Sequence, residues 1–76
     1  MSAPTNSARA QWADEAVRVF MTRTGTGMQD CLCDLLADLM HWADKCEFDF
    51  TAAFRRACDH YVADRIEEEQ IGRAHV

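Results

Sequence analysis

Leu32, Leu35, Leu36, Leu39 and Ala43 recur at the i, i+3, i+4, i+7 rhythm of one helix face, with Asp30, Asp34, Asp38, His41, Asp44 and Lys45 opposite. The pattern predicts a helix over "MQDCLCDLLADLMHWADKC". Thr26 and Gln29 stand in the T-x-x-Q spacing of a capping box, which puts its start near Gly27. After the joint "EFD", Phe50, Ala53, Phe54, Ala57 and Tyr61 form a second helical stripe. Asp49 is placed to cap that helix, with Phe48 before it as half of a hydrophobic staple. Past Tyr61 the stripe turns polar at Asp64 and Glu68, while Val62 and Ile66 lie off it. The last turns are therefore expected to overhang the core or to meet something outside the chain.

The first predicted helix runs from about Ala8 to Thr22, with Ser7 as its N-cap. Its apolar residues, among them Trp12, Val17, Val19, Phe20 and Met21, cover close to half the circumference, wider than one packing stripe requires. "RTGTG", with Gly25 and Gly27, ends it. There is no heptad run and no internal repeat. Short joints predict an all-α fold, a small three-helix domain whose core is an antiparallel hairpin of the second and third helices, with the first lying across them. The expected core is Val19, Phe20, Leu32, Leu35, Leu36, Leu39, Phe50, Phe54 and Tyr61.

The organisation along the chain follows. Residues 1–7, "MSAPTNS", read as a disordered lead-in and residues 8–69 as the domain. The last residues, 70–76, continue no periodicity. At the nucleotide level, ATC-GGA-AGA-GCA-CAC-GTC encodes Ile71 to Val76 and begins a widely used short-read sequencing adapter, with Gln70 as CAG supplying its preceding AG. Residues 70–76 are thus expected to be adapter read-through from a metagenomic or draft assembly, with the native C-terminus lying beyond Glu69.

Composition narrows the functional classes. The 76 residues carry eight basic and thirteen acidic side chains, a formal charge of −5, which argues against a nucleic-acid binder. No apolar run approaches membrane-spanning length and no signal-peptide pattern opens the chain, so a cytoplasmic protein with no membrane association is expected. Cys31, Cys33, Cys46 and Cys58 include no C-x-x-C pair, and two residues apart on a helix point about 200° apart. Free thiols are the reading for that compartment.

Asp34, Asp38 and His41 share a helix face, and Asp38 with His41 has the i, i+3 spacing used in metal-binding bundles. That face lies opposite the leucines and should be solvated, so no metal, cofactor or catalytic residue is assigned. His60 sits at the edge of the third helix's stripe as a boundary residue. Arg55, Arg56 and Arg65 are placed to meet the acidic face of a neighbouring protomer, and Asp59 lies four residues after Arg55. Three helices in so short a chain leave apolar surface over: Trp12, Val17, Met21 and Trp42 are expected to form the interface of a homodimer.

The stretch "DLLADLMHWADKCEFDFTAAFRRACDHY", Asp34 to Tyr61, resembles small helical proteins of prophages, plasmids and other mobile elements. Their pattern is D-L-L-A-D-L-x-H-W-x-D, a short joint, D-F-x-x-A and a closing H-Y. The joint in those proteins often holds a glycine suited to a left-handed helix stop; here the position is Glu47, which predicts a looser or strained turn. A fainter likeness links the chain to the C-terminal helices of MazG-type nucleotide pyrophosphohydrolases, whose acidic E-E-x-x-E set holds magnesium. Here Arg18 stands at the last position after Asp14-Glu15, and Asp34 and Asp38 have a different spacing from that family's E-x-x-D.

The function expected from these readings is an interaction or regulatory module of bacterial or phage mobile-element origin, acting through protein–protein contacts and not as an enzyme. Two alternatives carry distinct chemistry. One is a degenerate metal-dependent pyrophosphohydrolase-like protein. The other is an acidic decoy of a nucleic-acid enzyme, since Asp30, Asp34 and Asp38 repeat about every 6 Å along the helix, near phosphate spacing along a strand.

Overall fold

Thr5 opens the first helix. Its hydroxyl accepts from the Ala8 N–H at 3.0 Å, and its extended backbone (φ −78°, ψ 163°) is that of an N-cap. The computed structural model describes residues 4–74, with side chains followed through Gln70, and holds three helices: α1 (Asn6–Thr24), α2 (Cys31–Lys45) and α3 (Phe50–Ala74). The protein is an all-α, three-helix domain. Helices α2 and α3 form a hairpin through residues 46–49, and α1 packs on both, more extensively on α2.

Two local expectations need correction. Asn6 and Ser7 are already helical, so the cap is Thr5 and not Ser7; residues 1–3 of the expected lead-in lie outside the described residues. The capping box at Thr26 and Gln29 does not form. Residues 28–30 make a turn, closed by the Asp30 N–H on the Gly27 carbonyl at 3.2 Å, and α2 begins at Cys31. The Thr26 hydroxyl instead lies 2.8 Å from Thr24 Oγ1 and 3.5 Å from Asp34 Oδ2. A local hydroxyl partner outcompeted the helix N-terminus. Helix α1 ends as its glycine predicts, with Gly25 left-handed (φ 74°) and its N–H donating to the Met21 carbonyl at 2.8 Å.

The α2–α3 joint is a complete Schellman stop. Phe48 N–H reaches the Ala43 carbonyl at 2.8 Å, Glu47 N–H reaches the Asp44 carbonyl at 3.2 Å, and Glu47 sits in the left-handed region at φ 61°. Its usual apolar contact is present as well, since the Phe48 ring lies 5.4 Å from that of Trp42. Phe48 thus turns back onto α2. Asp49 does cap α3, its Oδ1 accepting from the Ala52 N–H at 3.0 Å. The backbone of α3 continues through Gly72 to Ala74; of residues 70–76, where the adapter read-through was expected, the side chains of 71–76 lie outside those described.

The core differs from the expected one. Only Cys31 and Ala43 are buried among the described hydrophobic residues. Phe20, Leu35 and Phe50 are half-buried, but Val19, Leu32, Leu36, Leu39, Phe54 and Tyr61 are exposed. The helices meet over short stretches only, so few side chains are enclosed. The Cα radius of gyration is 15.4 Å, where a compact chain of this length has about 11 Å.

Candidate interaction surface

Helix α3 turns Asp64, which continues its stripe, toward the rest of the chain and leaves apolar side chains in solvent. Beyond Phe50, Asp64 is the half-buried residue among those described, while Phe54, Cys58, Val62 and Ile66 are exposed. Asp64 is held by α1: its carboxylate lies 3.5 Å from Arg9 Nε and its carbonyl accepts from Asn6 Nδ2 at 3.2 Å. Arg9 is tied in turn to the Pro4 carbonyl and to Asn6 Oδ1. The i, i+4, i+8, i+12 ridge Phe54–Cys58–Val62–Ile66 runs off that stripe and faces solvent, with Val62 53% and Ile66 51% exposed.

A second apolar ridge lies on α2. Cys31 and Leu35 turn toward the rest of the chain, and the Cys31 thiol donates to the Met28 carbonyl at 3.2 Å. Leu32, Leu36 and Met40, again four apart, are exposed. Between the helices, at the joint, is an open apolar groove of about 450 Å³ whose walls include Leu39, Trp42, Phe48, Phe50 and Ala53, with Arg56 at its edge. Summed over the chain, 6755 Å² is accessible to solvent, against about 4,700 Å² for a folded monomer of 8.7 kDa. The excess is about 2,000 Å².

The structure also redistributes the expected interface. Trp12 and Trp42 are exposed, at 56% and 54%. Val17 and Met21 are half-buried, because α1 turns its Val17–Phe20–Met21 side toward the other helices and leaves Trp12 and Val19 outside. The expected placement of Val19 in the core and of Val17 and Met21 outside is thus reversed. Val62 and Ile66 were visible in the sequence only as residues off the main stripe; their four-residue spacing from Phe54 and Cys58 was the signal that they form a ridge.

The chemically suggestive side chains stay apart. Asp34, Asp38 and His41 are exposed, and among the described residues no three His, Cys, Asp or Glu side chains gather as a metal site would require. Asp14 is engaged by Arg18, whose Nε donates to its Oδ2 at 2.8 Å; that hydrogen bond and the adjacent carboxylate charge raise the Arg18 pKa. Tyr61 lies under Arg65, with the guanidinium carbon 5.8 Å from the ring centre. Cys33, Cys46 and Cys58 are exposed free thiols and Cys31 a buried one. No helix among the described residues is long and apolar enough to cross a membrane. No protein-family model matches the chain, and no curated protein or solved structure does either.

Proposed function

We propose that this chain is a protein–protein interaction module, with the exposed ridges of α2 and α3 as its working surface. The observation that carries the proposal is the outer side of α3: a helix that half-buries an aspartate while leaving Phe54, Val62 and Ile66 in water. Monomeric domains rarely leave contiguous apolar patches beyond a few hundred Å², and larger ones mark binding surfaces. A polypeptide laid along these ridges removes that surface from water. Four free thiols support a cytoplasmic setting. The resemblance of Asp34 to Tyr61 supports a mobile-element origin.

The test combines a dye with a melt. An isolated chain lacking its partner should bind an apolar fluorescent dye strongly and unfold over a broad range of temperature. A species of monomeric mass that melts cooperatively and binds no dye would show that the chain covers its own apolar surface, and the proposal would be wrong.

A further inference from the structure

We infer that the occupant of the α3 ridge is a second copy of this chain, docked antiparallel across a two-fold axis near Val62; the inference rests on the interaction reading above and names its partner. Three observations select that occupant. The first is area. A stable interface needs about 800 Å² from each partner, less than half of the excess surface this chain exposes. Phe54, Val62 and Ile66, each about half exposed, are α3's share of that surface.

The second is shape. Phe54, Cys58, Val62 and Ile66 form one unbroken i±4 ridge. Ridges of this kind interdigitate with others of the same kind, the commonest mode of helix packing in globular proteins, so the surface complements itself. A two-fold interface requires that property, because the same patch serves both partners.

The third is the order of charge along α3. Residues 50–61 carry Arg55, Arg56 and Asp59, net +1; residues 62–68 carry Asp64, Arg65, Glu67 and Glu68, net −2. Antiparallel pairing sets the basic half of each helix against the acidic half of the other. Parallel pairing would set acidic against acidic. Like charges across an interface are disfavoured, so the charge order selects the antiparallel arrangement. With the axis at Val62, Cys58 of one copy lies across from Ile66 of the other, while the two Cys58 thiols are separated by eight residues of helix rise, about 12 Å.

Light scattering on the full chain at tens of micromolar should give twice the 8.7 kDa chain mass. Val62→Asp with Ile66→Lys should return it to monomer mass with helicity retained by circular dichroism. Leu32→Ser, on the α2 ridge, should leave it dimeric. Orientation is read by cross-linking in a Cys33→Ser, Cys46→Ser background. Mild oxidation should yield covalent dimer when Ile66→Cys is added and none without it. Efficient dimer through Cys58 alone would overturn the antiparallel arrangement. A monomeric wild-type chain would overturn the self-pairing. If that monomer still binds dye and melts broadly, the interaction reading stands with a different partner; if it melts cooperatively without dye, both fall.

Discussion

Glu47→Gly isolates the energetic cost of the joint between α2 and α3. Glu47 occupies φ 61°, where an L-residue's Cβ crowds the following carbonyl at a cost of about 1–2 kcal/mol. Glycine removes that cost but loses more backbone freedom on folding, about 0.5–1 kcal/mol. The net gain should be about 1 kcal/mol, which for a chain of this size raises the melting temperature by about 4–8 °C. A second effect acts in the same direction: Glu47 places a carboxylate at the negative end of α2, and removing it is worth about 0.3–1 kcal/mol. Glu47→Ala separates the two, since alanine removes the charge and keeps the Cβ. Thermal melts followed by circular dichroism, at one fixed protein concentration so that association does not shift the midpoint, should rank glycine above alanine and alanine above wild type. If alanine gains as much as glycine, left-handed strain is not what the joint carries, and the reasoning from φ is refuted.

Asp49→Ala should destabilise by about 1 kcal/mol through loss of the Ala52 N–H acceptor, and Asp49→Ser should restore most of it in the same melts. Trp42→Ala removes the ring against Phe48 and should cost about 1–2 kcal/mol in a urea titration; a change within error would mean that this aromatic pair does not help hold the helix stop. Asp64→Asn breaks the ion pair with Arg9, whose two side chains are 28% and 37% exposed, so the loss should stay below about 1 kcal/mol and shrink at molar salt. A thiol reagent under native conditions should leave Cys31 as the slow group, with Cys33 and Cys46 reacting fast; equal rates for all four would contradict the burial of Cys31.

Much of this fold is written locally. The leucine rhythm of α2, the two glycines after α1 and the Asp49 cap each act through neighbours within a turn or so, and they placed the three helices to within a few residues. The left-handed joint was expected only through the resemblance to proteins with a glycine at that position; its hydrogen bonds, too, join residues no more than five apart. Short-range competition already blurs this picture at Thr26, where a neighbouring threonine hydroxyl replaced a capping box. The choice of faces belongs to the tertiary structure. Periodicity shows that a helix has an apolar side, but its rotation depends on partners far along the chain, such as Asn6 and Arg9 reaching Asp64 across 58 and 55 residues. With that clasp on one side of α3, Phe54, Val62 and Ile66 stand exposed. The same long-range packing half-buries Val17 and Met21, expected at an interface, and exposes Val19, expected in the core. Local chemistry decided where the helices are; packing between distant residues decided which of their surfaces remain to meet a partner.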